Sequence, residues 1–199
     1  MSALADLYNT ISACQACDEL SRARTRTVPG AGAENAQIVF IGEAPGFHED
    51  QQGLPFVGQA GQFLDHLLST IGLSRSDVYI CNVIKCRPPG NRDPLPTEIQ
   101  NCQQWLDRQL DLILPKMIVT LGRYSLAKFF PGESISKIHG KARKIDNRIY
   151  YPMYHPAAAL HQQTLRQTIE ADMLKIPSIL ASIEEVQEEE SKPQQLSMF

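Results

Sequence analysis

Four short apolar runs, separated by segments with helical spacing, constrain the fold of this chain more than any other feature. The runs lie at Gln37–Gly42, Val78–Ile84, Met117–Leu121 and Ile149–Tyr154. Each is nearly continuous rather than alternating, which is typical of strands that are buried on both faces of a parallel sheet. We therefore predict an α/β fold in which helices cover a parallel sheet on both sides.

The segments around these runs carry the spacing of helices. The predicted helices cover Ala3–Ala13, Gly61–Ile71, Pro96–Leu114 and Ser125–Phe130, and a last one begins near Thr164 and is interrupted by Pro177. Thr97 and Gln100 have the spacing of a capping box. In such a sheet ligands bind outside the carboxyl ends of the strands, so we expect the site in the loops that follow the first, second and fourth runs.

Composition limits the class of protein. The chain has 199 residues, of which 43% are hydrophobic, enough for one globular domain over residues 1–183. No stretch reaches the roughly 18 apolar residues that a membrane helix needs, and the N-terminus lacks the pattern of a secretory signal, so we expect a cytoplasmic protein. Residues 184–199 form an acidic tail, and the nearly neutral remainder neither requires nor excludes a nucleic-acid partner.

Four of the five cysteines form a pattern. Cys14 and Cys17 make a C-x2-C pair, and Cys86 is followed by Cys102. A C-x2-C pair together with a second pair of cysteines across a loop can close a four-sulfur metal site. Both zinc and an iron–sulfur cluster accept four thiolates, so the spacing does not choose between these two metal centres. Disulfides are disfavoured in an intracellular chain, and four unrelated buried cysteines are the alternative. Cys81 lies inside a predicted strand and is most simply a core residue.

Polar and glycine residues follow three of the predicted strands. The first run leads into Gly42-Glu43-Ala44-Pro45-Gly46 and then Glu49, where glycines let backbone N–H groups approach a ligand closely. The second contains Asn82, whose amide can read a pyrimidine edge, and runs into a proline-rich loop. Its basic residues suit phosphates and are Lys85, Arg87 and Arg92. His155 follows the fourth run. Taken singly, these features also fit a turn, a solvated loop and a structural histidine.

The combination of motifs resembles the family 4 uracil-DNA glycosylases, the iron–sulfur branch of the uracil-DNA glycosylase superfamily. The motifs are C-x2-C, GEAPG-x2-ED, GLPFVG-x-AG, N-x2-KCRPPGNRDP and YHPAA, spread from Cys14 to beyond Tyr154. The resemblance implies a three-layer α/β/α domain with a central four-stranded parallel sheet, and a monomer that acts on single- and double-stranded DNA. It also implies a structural [4Fe-4S] cluster on Cys14, Cys17, Cys86 and Cys102, and no catalytic divalent metal.

The resemblance also assigns roles in excising uracil. Phe56 would stack on the flipped base, Asn82 would read its edge, and His155 would hydrogen-bond uracil O2. Backbone N–H groups of Gly42, Glu43 and Ala44 would cradle the base, and Lys85, Arg87 and Arg92 would contact DNA. Where related enzymes place an aspartate to activate water, this chain has Ala44, so we hypothesise that Glu43, Glu49 or Asn91 does so. Residues 87–95 contain no histidine, which argues against a covalent lyase branch.

The chain ends in Gln195-Leu196-Ser197-Met198-Phe199, which resembles the pentapeptide that docks bacterial repair proteins on the β sliding clamp. Gln195, Leu196, Met198 and Phe199 would make the contacts, since apolar anchors at a polar end suit a groove on a partner. An incidental apolar end is the alternative. The sequence thus predicts a uracil-excising repair enzyme. The alternative function is a non-catalytic iron–sulfur module that binds DNA and is associated with replication.

Overall fold

A six-stranded sheet organises the computed structural model, which describes residues 2–182. The strands are β1 Ala31–Gly32, β2 Ile38–Gly42, β3 Tyr79–Asn82, β4 Met117–Leu121, β5 Arg143–Ile145 and β6 Arg148–Met153. Their order is β1-β3-β2-β4-β6-β5. The four central strands are parallel, as predicted, and the two edge strands pair antiparallel.

Helices cover both faces of this sheet, so the predicted three-layer architecture is confirmed. They are α1 Ala3–Ser12, α2 Asp18–Ala23, α3 Phe47–Gln52, α4 Gln59–Thr70, α5 Pro96–Ile113, α6 Arg123–Phe129, α7 Ile135–Ile138 and α8 Gln163–Met173. Short 3-10 turns occupy Pro89–Asn91 and Pro156–Leu160, and residues 176–182 are helical again. One apolar core contains buried residues of α4 and α8, and a second contains those of α1 and α5. Both cores include side chains of the central strands, which explains why the strand sequences are apolar on both faces.

The register of the parallel strands brings the candidate site residues to one edge of the sheet. Gly42 at the end of β2 pairs with Asn82 at the end of β3. On the other side, β2 pairs with β4 and β4 with β6, so that His155, two residues beyond β6, follows a strand end at the same edge. The loops after β2, β3 and β6 therefore converge, as the sequence predicted.

Two helix features that the sequence predicts, a capping box and a helix break, lie at other residues in the structure. The capping box was assigned to Thr97 and Gln100, but α5 begins at Pro96, and Glu98 Oε2 accepts a 2.8 Å hydrogen bond from the N–H of Leu95. A proline is well suited to the first helical position, which moves the cap two residues upstream of Thr97. The last helix breaks at residues 174–175 rather than at Pro177, which lies in the first turn of the next helical segment, where its missing N–H is tolerated.

The acidic run and the terminal pentapeptide of the sequence analysis lie outside the described residues. Among residues 2–182, no helix is both long and apolar enough to cross a bilayer.

Candidate active site

A pocket of about 170 Å³ opens at the carboxyl end of the sheet. Its walls are Ala44, Gly46, Glu49, Phe56, Ala60, Asn82 and His155. These residues come from the loops after β2 and β6, the end of β3, helix α3, the loop that joins α3 to α4, and the start of α4. The structure thus brings together the aromatic ring, the amide and the imidazole that the sequence placed in one site.

Asn82 presents a buried acceptor at this pocket. The residue is 2% exposed, and within the described part of the chain its Oδ1 has no hydrogen-bond partner. Gly42 makes this placement possible, since a Cβ there would lie 2.4 Å from Asn82 Oδ1 and 2.6 Å from Phe56 Cζ. Buried polar atoms in folded proteins are almost always paired, so an unpaired oxygen lining a pocket indicates a ligand that donates to it.

Phe56 is held in an unusual backbone conformation. Its φ is 55°, in the left-handed region that a bulky residue rarely adopts. The Arg75 guanidinium donates to the carbonyls of Phe56 and Pro55, the latter at 2.8 Å, and α4 packs so closely that a Cβ on Gly61 would lie 1.6 Å from the Phe56 carbonyl oxygen. The Phe56 ring stacks on His155, with centroids 5.5 Å apart and planes inclined by 23°. Tertiary contacts therefore fix the aromatic wall of the pocket.

His155 is held as a neutral imidazole with a defined tautomer. Its Nδ1 accepts a 3.1 Å hydrogen bond from the N–H of Ala157, so the proton of the neutral ring is on Nε2. Burial lowers the pKa of His155 to about 4, against the opposing influence of the Glu49 charge. At neutral pH the ring can therefore donate from Nε2 without carrying a charge.

Glu49 links the two loops that form the pocket walls. Its Oε2 accepts from the N–H of Gly46 at 3.1 Å, and its Oε1 accepts from the N–H groups of Val57 and Gly58, both at 2.8 Å. Three backbone donors thus occupy most of the acceptor positions of this carboxylate. The geometry makes Glu49 a positioning residue for the loops after β2 and around Phe56.

A groove of about 350 Å³ adjoins the pocket and shares Ala44, Gly46 and His155 with it. Glu43 and Asn91 also line this groove. Burial, with a smaller contribution from the Asp93 charge, raises the pKa of Glu43, while Arg123 opposes the shift. Across residues 2–182, no hydrogen-bond donor contacts the Glu43 carboxylate. The Asn91 amide oxygen, by contrast, accepts a 2.7 Å hydrogen bond from Arg87 Nε.

The prediction that Lys85 contacts DNA is wrong for this structure. Lys85 is 1% exposed, and its Nζ donates to the Asn82 carbonyl at 2.8 Å and to Gln109 Oε1 at 2.6 Å. These buried acceptors satisfy the ammonium group, so the side chain points inward and supports the residue that lines the pocket.

The two arginines of the same loop differ in whether their charge is available to bind a phosphate. The Arg92 guanidinium pairs with Glu98 at 2.7 Å and with Glu19 at 2.9 Å. Arg87 lies over the exposed ring of Phe47, with its Cζ 5.1 Å from the ring centroid. Of the three predicted phosphate contacts, Lys85 is buried and Arg92 pairs with two carboxylates, so Arg87 is the one that is neither buried nor neutralised by a carboxylate among the described residues.

The four patterned cysteines line one cavity. Cys14, Cys17, Cys86 and Cys102 share it with Arg24, Lys85, Asn101 and Trp105. N–H donors contact three of the sulfurs: Arg24 Nη1 lies 3.1 Å from Cys86 Sγ, the Lys85 N–H 3.3 Å from Cys102 Sγ and Asn101 Nδ2 3.7 Å from Cys17 Sγ. Within residues 2–182, no group of three His, Cys, Asp or Glu side chains is arranged to hold a single metal ion.

The donor set around this cavity fits an iron–sulfur cluster. Four thiols are the ligands that a [4Fe-4S] cluster takes, and N–H groups directed at the sulfurs stabilise them as thiolates. The indole Nε1 of Trp105 is buried without a partner among the described residues, although the side chain lines the same cavity. Cys81 lies apart from this set, buried in the core as predicted.

Comparison with known proteins agrees with these features. Residues 29–175 match the family model described as the Uracil DNA glycosylase superfamily. A type-4 uracil-DNA glycosylase of Sulfurisphaera tokodaii is 47% identical over 186 residues, covering 88% of this chain and 84% of the relative. The type-4 enzymes of Archaeoglobus fulgidus and Thermotoga maritima are 45% and 41% identical, covering 88% and 85% of this chain and 92% and 91% of the relatives. The chain belongs to the type-4 family of this superfamily.

Several residues of this type-4 site gave no signal in the sequence. Arg75 lies in a polar turn before β3, and Gln109 is one of several polar residues of α5, yet they hold Phe56 and Lys85 respectively. Arg24 lies in a basic run that resembles a solvated surface, but it donates to Cys86. All three act through contacts with residues distant in sequence, which local patterns do not reveal.

Proposed function

We propose that the protein flips uracil out of DNA into the pocket and hydrolyses its N-glycosidic bond, leaving an abasic site. The observation that carries this assignment is the buried Oδ1 of Asn82, which has no hydrogen-bond partner within residues 2–182 and lines the same pocket as the ring of Phe56. A base inside a duplex cannot reach such a pocket, so the nucleotide must be extruded or bound from a single strand. The type-4 relatives carry the name uracil-DNA glycosylase, which supports the same activity.

Asn82 supplies discrimination between uracil and cytosine. Its Oδ1 accepts from uracil N3–H while its Nδ2 donates to O4. Cytosine presents an acceptor and a donor at these two positions, so both pairs would be mismatched. Each buried polar group left unpaired costs about 1–3 kcal/mol. Phe56 contributes stacking, which is tolerant of base identity.

His155 stabilises the leaving group. As the N1–C1′ bond breaks, its electron pair stays with uracil and the negative charge spreads to O2. The Nε2–H of the neutral His155 ring donates to this oxygen, and backbone N–H groups of the loop after β2 add to the stabilisation. The histidine can remain neutral, because its role is to donate a hydrogen bond to the negative charge that develops on the base.

Glu43 is the best-supported group for the water that attacks C1′. Glu49 already accepts three backbone hydrogen bonds and Asn91 accepts from Arg87, whereas Glu43 lines the groove next to His155. Its raised pKa suits a group that takes a proton from water. The water oxygen bonds to C1′ and its proton passes through Glu43 to uracil N1. A carboxylate there also stabilises the cationic sugar.

We assign a structural [4Fe-4S] cluster to Cys14, Cys17, Cys86 and Cys102. Four thiols that line one cavity are the ligand set that such a cluster takes. When bound, the cluster supplies a covalent cross-link between the N-terminal segment, the loop after β3 and α5. The excision steps above use none of its chemistry, and no divalent cation takes part in them.

DNA and the sliding clamp are the partners that this proposal includes. Arg87 is available for phosphates near the groove, whereas the Arg92 charge is paired with Glu19 and Glu98. Residues 1–183 form the catalytic domain, and the tail carries the clamp motif at Gln195–Phe199. The enzyme acts as a monomer in the compartment that holds its DNA, the cytoplasm of a prokaryotic-type cell.

The test is excision from a labelled single-stranded oligonucleotide with one uracil, with EDTA present. We expect alkali-labile breakage at uracil, none at cytosine in the same context, and a loss of breakage in Asn82→Ala. Folded wild-type protein that binds the oligonucleotide without breakage would overturn the proposal in favour of a non-catalytic DNA-binding module.

A further inference from the structure

Phe47 is an exposed aromatic side chain at the rim of the proposed uracil pocket. It directly follows Gly46, which lines both the pocket and the groove, and it is 52% exposed. Its ring belongs to none of the apolar cores formed by the described residues. An exposed aromatic ring beside a binding site offers a flat apolar face on which a ligand can stack, so its position indicates a surface for a ligand.

Arg87 gives this ring a cationic neighbour. The guanidinium carbon lies 5.1 Å from the Phe47 centroid, and Arg87 Nε donates to Asn91 Oδ1 at 2.7 Å. Asn91 lines the groove next to the pocket. Phe47, Arg87 and Asn91 therefore form a connected surface, the rim platform, which extends from the groove to the solvent.

We propose that the rim platform binds the nucleotide next to the flipped uracil, whose base stacks on Phe47 while its phosphate contacts Arg87. This rests on the proposed function, because a uracil in the pocket leaves its neighbours in the strand at the rim. An aromatic ring beside a basic group is the combination that single-stranded nucleic-acid sites use. Charge complementarity favours a phosphate-bearing DNA strand over a neutral or basic peptide, since no carboxylate pairs with Arg87 among the described residues.

The test compares Phe47→Ala with the wild type on single-stranded oligonucleotides that differ only beside the uracil. One substrate has adenine on both sides, and two others replace one adenine or the other by an abasic analogue. We expect Phe47→Ala to raise KM about 10-fold on the adenine substrate, which corresponds to about 1.4 kcal/mol. One abasic substrate should show no difference between the two proteins, because the stacked base is already missing.

The controls separate stacking from other effects. Phe47→Trp keeps a ring and should retain the wild-type KM, and Leu174→Ala removes an apolar side chain that is 59% exposed in the turn after α8 and should change nothing. A Phe47→Ala effect of equal size on all three substrates, or no effect on any, would overturn the rim platform. Failure of the proposed function looks different, because the wild type would then excise uracil from none of them.

Discussion

Arg75 should control uracil binding although it does not line the pocket. It donates to the carbonyls of Pro55 and Phe56, and its Nε pairs with Asp65 at 2.5 Å. The Phe56 φ of 55° costs about 1–2 kcal/mol in a residue with a Cβ, so the conformation persists only while its surroundings hold it. Arg75→Ala removes the two N–H donors that hold the backbone of Pro55 and Phe56.

The magnitude follows from these contacts. A hydrogen bond from a charged group contributes about 1.5–3 kcal/mol, and the side chain of Arg75 is 34% exposed, so we take the lower value for each of the two. When Phe56 relaxes in the variant, the release of its backbone strain offsets part of this loss. The free energy of unfolding should therefore fall by about 1–2 kcal/mol. The displaced ring also loses its stacking on the base, about 1–3 kcal/mol, so KM for uracil DNA should rise roughly 10- to 100-fold.

The assay is steady-state excision from a single-stranded oligonucleotide, together with urea unfolding of the same preparations. Arg75→Lys keeps the charge but not the two-carbonyl geometry, and should fall between the wild type and Arg75→Ala. Asp65→Asn removes only a partly exposed ion pair and should leave KM unchanged, since such pairs contribute about 0–1 kcal/mol. If Arg75→Ala loses stability while KM stays at the wild-type value, the guanidinium does not position Phe56 for the base and the reasoning fails.

Three further variants test the pocket. Burial holds the pKa of His155 at about 4, below its unfolded value near 6.5, so the unfolded state binds more protons between these pH values and stability falls as the pH drops through them. The free energy of unfolding of the wild type should therefore decrease by about 3 kcal/mol more than that of His155→Gln between pH 7 and pH 4, and parallel urea-unfolding profiles would contradict this. Glu43→Gln should slow single-turnover excision at least about 100-fold with little change in KM, whereas an unchanged rate would remove Glu43 from the water-activating role. Gly42→Ala places a methyl group 2.4 Å from Asn82 Oδ1 and should raise KM about 10-fold, with a loss of about 1–3 kcal/mol in stability; a wild-type KM would show that Asn82 need not stay in place.

Much of the fold could be predicted because the central strands are buried on both faces. A strand in that position needs an apolar sequence, and the run Met117–Leu121 became β4 without a change of boundary. The edge strands were missed for the opposite reason. β1 has two residues and β5 reads Arg-Lys-Ile, and a short or polar edge leaves no apolar pattern to detect.

For the candidate site, too, some side-chain positions could be predicted from the sequence, whereas others depend on contacts between residues that are distant in sequence. The positions of Asn82 and His155 followed from strand ends meeting at one edge of the sheet, which topology dictates. The inward turn of Lys85 depends on Gln109, which lies 24 residues further along the chain and belongs to α5. A lysine in a proline-rich basic loop has the same local sequence whether it faces DNA or the interior, so only the packed structure distinguishes the two.

The inward position of Lys85 connects the base pocket to the cysteine cavity. Its side chain donates to the carbonyl of Asn82, whose amide lines the pocket, and its backbone N–H donates to Cys102 Sγ at 3.3 Å. The next residue is Cys86, whose sulfur accepts from Arg24. A displacement of Cys86 or Cys102 must therefore move Lys85, and with it the hydrogen bond that holds the Asn82 backbone. The structural cluster that we propose at these cysteines would therefore be linked to the Asn82 backbone through one buried side chain, that of Lys85.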